Sequence, residues 1–441
     1  MKSLSSGNLK RDYARFCIPC IVNLLVFSVY SIVDCLFVSR YVGSAALAAV
    51  TLAHPFLSVL FSIGITLAVG GSTLIAEALG EKNSDRANFI FSQNLIVTLI
   101  LGLTITLAVF VFLEPFCSLL GADAETLPHT VDYLGTIAPF AVSFIFEYNL
   151  EFLVKTDGNP MLSLFTVIGC SLLNIFLDWL LVAVIPLGTF GAGLATGISQ
   201  TVASVIFLSY ILFSKNGLFH FCRFKWKLGI YKKLIPLGAA DGSMEILSAI
   251  LVLIYNRIMR ENFGTDGVAA FGVIIYMNNL VFNMNTGVTQ GMEPLVSFHK
   301  GAGELSSCKK LFRYALFVQC ITSAAVFAVC ELFTGDIIRM FFTPEETNAI
   351  SIATDGLRIF AVAFLLLGFN ILCSGYMTAQ CKPVPALIIS LGRAFFVHII
   401  ILLAIITFLG TGYIWWTVVI SEGIMAAVSL IALFRFNRSA R

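Results

Sequence analysis

The sequence predicts an all-α integral membrane protein: twelve transmembrane helices in two six-helix lobes related by a pseudo-two-fold axis along the membrane normal. Three observations predict it. The 441 residues are 58% hydrophobic and only 12% charged, whereas a soluble domain carries about 25% charged residues. Twelve apolar stretches are each long enough to cross a hydrocarbon layer of about 30 Å. The first six stretches recur in the last six at nearly constant spacing.

In chain order the stretches fall near 15–39, 46–76, 87–113, 128–153, 160–184, 191–214, 234–260, 268–298, 311–333, 351–378, 384–409 and 412–436. The first carries Pro19, read as a helix kink, and Asp34 near its end. No A-x-A pattern follows it, so it reads as a retained helix and not a cleaved leader. Stretches 46–76 and 268–298 exceed a single crossing and are expected to tilt or to run past the bilayer. The fifth holds Asn174 and Asp178 four residues apart, hence on one face. An uncharged turn, 185–190, follows it. The sixth opens through Gly191-Ala192-Gly193, small residues that admit a neighbouring backbone, and carries Thr196 and Gln200 one turn apart. Residues 215–233 alternate basic and aromatic side chains and are expected to lie on the inner membrane surface as an amphipathic segment. So much apolar chain on either side excludes a nucleic-acid interface. The domains are then an N-lobe 1–214, a linker 215–233 and a C-lobe 234–441.

The repeat is legible in particular residues. Gly43-Ser-Ala-Ala-Leu-Ala-Ala matches Gly264-Thr-Asp-Gly-Val-Ala-Ala at an offset of 221, which also takes Gly80 to Gly301. Asp132, Pro160 and Gly169 match Asp355, Pro383 and Gly392 at 223. Gly188-Thr189 and Ser199-Gln200 match Gly410-Thr411 and Ser421-Glu422 at 222. An even number of helices per unit gives both units the same orientation, the parallel-repeat pattern of transporters, with the substrate site expected between them. With both termini inside, the inner loops hold 21 of the 27 Lys and Arg residues, and the outer side only Arg40, Arg257, Arg260 and Arg339. That asymmetry sets the orientation, with both termini cytoplasmic in a multi-pass cell-membrane protein.

The net charge of +2 selects no partner. The eleven cysteines are scattered among apolar residues and read as reduced packing groups. Cys17-Ile18-Pro19-Cys20 has the C-x-x-C redox spacing but lies in a membrane helix. No phosphate loop, H-E-x-x-H or Ser/His/Asp grouping occurs, so the chain is expected to be no enzyme and not to use ATP directly.

A carboxylate costs about 2.5–3.5 kcal/mol at the centre of a membrane helix, so intramembrane acids are functional candidates. Asp34, Asp178 and Thr196 all fall about 8–9 Å below the outer surface, with Asn174 one turn deeper. Their oxygens suit Na⁺, or a proton on one Asp of the pair. A second set lies near mid-membrane: Glu245, Arg393 and Glu422, about 14–16 Å into their helices. Buried charges at one depth pair, so Arg393 is expected to meet Glu422 or Glu245. Asp241, one turn before Glu245, is expected to face a vestibule. Glu147 and Glu151 share a face near the inner end of the fourth stretch, where a solvated helix end is the expectation and attraction of cationic substrates the alternative. His54 and His398 read as buried neutral histidines.

Taken in order, Pro19 and Asp34, Gly43-Ser-Ala-Ala-Leu-Ala-Ala, Gly80-Glu81, Asp157-Gly158-Asn159-Pro160, Asn174-Ile-Phe-Leu-Asp178, Gly191-Ala-Gly-Leu-Ala-Thr196 and Glu293-Pro294 to Gly301 resemble the multidrug and toxic compound extrusion (MATE) family of transporters over nearly the whole chain. The resemblance implies export of organic, often cationic compounds, driven by H⁺ or Na⁺ influx, with alternating access between two six-helix lobes. It also implies that Asp34, Asn174, Asp178 and Thr196 form a first-lobe cation site. Glu245 matches a helix-7 carboxylate that some members use for cations, but the helix-10 carboxylate they add is missing at Gly368-Phe-Asn370-Ile-Leu. No cofactor is expected beyond the coupling ion, H⁺ or Na⁺. The expected partners are small organic cations and the bilayer, and the chain is expected to act as a monomer. A flippase of lipid-linked saccharides in the same superfamily would need more basic residues in its cleft than Arg358 and Arg393, the two within helices. A membrane-embedded enzyme or receptor is the remaining alternative.

Overall fold

The computed structural model describes residues 7–121, 126–214, 217–222 and 227–439. Among these, eleven helical segments are long and apolar enough to span a membrane. The longest, Tyr231–Gly301, bends at Gly264, whose φ of 65° and ψ of −153° are not helical, so it is two spanning helices joined by one residue. The resulting twelve are α1 (Leu9–Tyr41), α2 (Ser44–Gly80), α3 (Ser84–Val111), α4 (Leu127–Thr156), α5 (Pro160–Val184), α6 (Gly188–Phe213), α7 (231–263), α8 (265–301), α9 (Leu305–Leu332), α10 (Thr347–Ala379), α11 (Pro383–Phe408) and α12 (Trp416–Ser439). Helices α1–α6 form one lobe and α7–α12 the other. The two stretches longer than a single crossing are α2 and α8.

The repeat is written into the backbone. At the end of the molecule that carries both termini, hereafter the terminal end, α2–α3, α4–α5, α8–α9 and α10–α11 are joined by the same three-residue turn. In each, the middle residue has positive φ: Lys82, Gly158, Gly303 and Cys381. The next amide returns to a carbonyl five residues back, as in Asn83 N to Ala78 O and Lys382 N to Met377 O, both 2.9 Å. This closes the helix C-terminus as a Schellman turn. Asn8, Asn83 and Asn159 then cap the next helices, accepting the amides of Arg11, Arg86 and Leu162. At the opposite, far end, Gly43 pairs with Gly264, and Gly188 with Gly410, again all at positive φ. Both π-helical turns, Trp179–Val184 in α5 and Gly392–Phe396 in α11, interrupt the fifth helix of their lobe.

The lobes meet over the terminal half. Helix α1 runs against α8, and α2 against α7 and α8. Between helices in lipid the attraction is close packing, so small residues let backbones touch. A Cβ on Gly238 would strike the Thr66 carbonyl, and one on Gly291 the Cys17 backbone. Gly80 and Gly301, related by the repeat, lie across the axis, each against backbone of the other lobe at Phe298 and Glu77. Polar ties across this seam are the Lys300–Glu77 ion pair, Lys155 Nζ to Gln290 Oε1 at 3.3 Å, and Asn283 Nδ2 to Ser28 Oγ at 2.9 Å. Among the described residues, that last bond is the interlobe hydrogen bond farthest from the terminal end.

Of the linker 215–233, residues 215–216 and 223–226 lie outside the described residues, as do Lys2 and Arg441 of the orientation count. The described part is non-helical up to residue 230 and is fastened to the N-lobe. Leu218 N and Tyr210 Oη donate to the Asp157 carboxylate at 2.7 and 2.8 Å, and His220 N and Cys222 N donate to Asn88 Oδ1 and Ser92 Oγ. Phe219 stacks on Phe91. Burial pushes the Asp157 carboxyl above its ordinary range, against the lowering effect of those two donors.

Candidate functional site

A cavity opens inside the N-lobe between α1, α4, α5 and α6. Its wall includes Asn23, Phe27 and Tyr30 from α1, Glu147, Tyr148 and Glu151 from α4, Cys170 and Asn174 from α5, and Thr196 and Gln200 from α6. The fold thus brings Asn174, Thr196, Gln200 and Glu147 onto one surface. They converge because each helix turns a single polar stripe inward, while its apolar residues, such as Phe165, Leu172 and Phe176 on α5, stay exposed on the outer face.

Asp34 and Asp178 meet directly, side chain to side chain. Asp178 is fully buried and Asn174 is 2% exposed. Both Asp178 oxygens, Asp34 Oδ1 and both polar atoms of the Asn174 amide have no hydrogen-bond partner among the described residues. The Thr196 hydroxyl donates to Ala192 O at 3.1 Å, which leaves its lone pairs available. Two carboxylates in contact repel unless a proton or a cation lies between them. The orphaned oxygens of Asp34, Asp178 and Asn174 are the donor set a hard monovalent cation or a shared proton would use. Tyr30 is within electrostatic range of Asp34, Asp178 and Glu147, and so bridges this pair to the cavity.

The floor of the cavity departs from expectation. Glu147 and Glu151 are not a solvated helix end: they are 7% and 6% exposed. Lys155, counted as a loop residue from the sequence, is inside α4 and 3% exposed. Its Nζ lies 2.6 Å from Glu151 Oε1, and that oxygen also accepts from Asn23 Nδ2 at 2.5 Å and Ser163 Oγ at 2.9 Å. Burying a charge in the apolar core requires such partners. Glu147 has no ion pair or hydrogen bond of its own among the described residues and faces the cavity. Beside the floor, across the seam, lies Glu293 of α8, 5% exposed, which shares a small recess with Lys155, Gln290 and Ser297.

In the C-lobe the charged residues separate. Arg393 Nη1 meets Glu422 Oε1 at 3.2 Å, so its partner is Glu422 and not Glu245. Asn370 Nδ2 donates to Glu422 Oε2 at 2.7 Å, and Ser429 Oγ to Asn370 Oδ1 at 2.9 Å. The guanidinium also lies 5.4 Å from the Phe282 ring centre and touches the Met244 sulfur. Asp241 and Glu245 are half-buried and make no ion pair among the described residues. Asp241 is in electrostatic range of Arg393 and Glu293, and Glu245 of Tyr148 in the opposite lobe. His398 is buried as expected and held by Tyr255 and Ser421, whereas His54 is exposed, beside Ser58 on the surface of α2. Cys17 and Cys20 are buried free thiols.

Sequence reasoning missed Asn23, the Glu151–Lys155 pair and Glu293. The signal for the pair was present: Glu four residues before Lys on a helix is a favoured ion pair. Asn23, the lone amide among the apolar residues of the first stretch, was the other.

A family model described as MatE matches residues 19–180 and 243–404, two stretches of equal length that coincide with the repeat. The multidrug export protein MepA of Staphylococcus haemolyticus (strain JCSC1435) is 25% identical over 428 residues, covering 95% of this chain and 92% of that protein. MepA of Staphylococcus saprophyticus subsp. saprophyticus is 26% identical over 427 residues, with the same coverage of 95% and 92%. Among solved structures, a MATE protein crystallised in complex with MaL6 superposes with a TM-score of 0.93 at 23% identity, covering 100% of this chain and 98% of that one. An outward-facing multidrug resistance MATE family transporter of the MOP superfamily gives 0.93 at 22% identity, with the same coverage of 100% and 98%.

Proposed function

The chain belongs to the MatE family, and from that premise we propose that it exports organic cations across the cell membrane in exchange for H⁺ or Na⁺ by alternating access. The observation that carries the reading is the direct meeting of Asp34 and Asp178 beside the cavity that Asn174 and Thr196 line. A facing pair of buried acids holds one positive charge far better than none or two. Loading that pair and loading the cavity with an organic cation then compete through Tyr30 and the shared α1–α5–α6 wall, and competition for one site is the basis of exchange. The aromatic rings of Phe27, Tyr30 and Tyr148 suit an apolar body that carries a cation.

The terminal end faces the cytoplasm on this reading, since it gathers most of the Lys and Arg. The backbone-to-backbone seam there then corresponds to a closed inner side, with access from the far, outer end. The protein works as a monomer, because each chain carries both lobes and a complete N-lobe cavity.

Reconstitution tests the proposal. Purified protein in liposomes should move a fluorescent monovalent dye against its gradient when a proton or sodium gradient is imposed across the membrane. Movement under neither gradient would refute ion-coupled export.

A further inference from the structure

The two lobes treat one set of positions in opposite ways. At the repeat offsets, Glu147 corresponds to Asn370, Gln200 to Glu422, Cys170 to Arg393 and Asn23 to Met244. Each lobe therefore carries one carboxylate and one primary amide on its fourth and sixth helices, with the two exchanged. In the C-lobe the carboxylate closes on a cation that the chain itself supplies, and the amide holds the carboxylate. Glu422 takes the Arg393 guanidinium at 3.2 Å, Asn370 holds the second carboxylate oxygen at 2.7 Å, and Met244 completes the wall. In the N-lobe the residue at the arginine position is Cys170, a short side chain that leaves open the room the arginine fills. Glu147, Gln200, Cys170 and Asn23 all line the cavity there.

The Lys155 ammonium is committed to Glu151 and Gln290, so it does not serve Glu147. Glu147 is 7% exposed and faces the cavity with no hydrogen bond or ion pair of its own among the described residues. A buried carboxylate of this kind is stable when a cation with N–H donors meets it.

We propose that the N-lobe cavity is specific for a monovalent amidinium or guanidinium group, bound by Glu147 with Gln200 in the supporting amide position, as Glu422, supported by Asn370, binds Arg393 in the C-lobe. The proposal rests on the reading that the chain moves organic cations, and it names the group recognised. A planar fork of N–H donors fits a carboxylate two-pronged. A quaternary ammonium of the same charge has no hydrogens to give.

Equilibrium binding to the purified full chain in detergent tests this without requiring transport, so its failure leaves the export reading standing. The probes are benzamidinium and phenyltrimethylammonium, alike in ring and charge, each read by the rise in melting temperature with concentration. Benzamidinium is expected to bind about tenfold tighter, the worth of one charge-assisted pairing. Glu147→Gln, which keeps the shape, should erase that preference. Glu147→Asn combined with Gln200→Glu, which reproduces the C-lobe arrangement, should restore it. Cys170→Arg should supply the cation from within and abolish benzamidinium binding while raising the melting temperature of the ligand-free protein. Equal affinity for the two probes, or wild-type benzamidinium binding by Glu147→Gln, would overturn the proposal.

Discussion

The hydroxyl of Tyr255 lies 2.8 Å from Nε2 of His398, and these two residues stand in the C-lobe where Asp34 and Asn174 stand in the N-lobe. Asp34 maps to Tyr255 at offset 221, and the extra residue of the π-turn Gly392–Phe396 brings His398 into register with Asn174. Ser421 Oγ closes the other ring nitrogen at 3.3 Å. One lobe satisfies the site with a neutral internal bond, and the other leaves two acids facing.

The first prediction follows from that asymmetry. With a single acid pair, one coupling ion should cross per monovalent substrate, and the exchange is electroneutral. Moving one charge through 100 mV is worth about 2.3 kcal/mol, and the influx and efflux terms cancel. Dye transport into liposomes under an ion gradient should barely respond to a valinomycin-imposed potential. A steep voltage dependence would instead assign Glu245 a second ion.

Asp34→Asn keeps the side-chain shape and removes the charge. The variant should insert and fold normally, because an amide next to the Asp178 carboxyl relieves the repulsion, but uphill export should be lost. Export at the wild-type rate would remove Asp34 from the coupling step.

Breaking the Arg393–Glu422 pair from one side leaves a buried charge, which costs about 3–5 kcal/mol. Arg393→Ala should lower the melting temperature accordingly, and adding Glu422→Gln should recover more than half of the loss, since Asn370 can still donate to the new amide oxygen. Strictly additive losses in the double variant would show that the two charges do not stabilise one another.

A bulky residue at the seam should shift the conformational balance. Gly291→Val sets a side chain against the Cys17 backbone, and the lobes can relieve it only by parting at the terminal end. Cys17, 3% exposed in the closed seam, should then react several-fold faster with a membrane-impermeant maleimide applied from the terminal side. Unchanged labelling would mean that the seam adjusts by another route.

The fold was legible because its determinants are long-range in physics but local in sequence: the length of an apolar run decides a crossing, and Gly43, Gly80 and Gly188 reappear at Gly264, Gly301 and Gly410 for backbone reasons. That Asp34 and Asp178 lie together was legible because both fall at one depth of the membrane, where buried charged groups gather. The floor of the cavity was not. Glu147, Glu151 and Lys155 lie near a helix end, where charges ordinarily reach water, and what holds Glu151 and Lys155 inside is Asn23, 128 residues from Glu151 in α1, with Ser163 and Gln290. Arg393 had two carboxylates at one depth, and helix rotation, which residue spacing along separate helices does not fix, chose Glu422. The one-residue connection at Gly264 was hidden because the surrounding polar residues resemble a loop.

The glycine seam has a mechanical consequence. Where Gly238, Gly291, Gly80 and Gly301 touch the other lobe, the surfaces that separate are peptide backbone, with few long side chains to uncouple and reorder. Such a joint behaves like a smooth bearing: parting it releases little rotamer entropy, and closing it again requires little search. The two ends of the swing can then lie close in free energy, so a gradient of modest size can drive the cycle in one direction. The same bearing tolerates wide sequence drift in the helices around it, provided that the few positions where backbones meet stay without side chains.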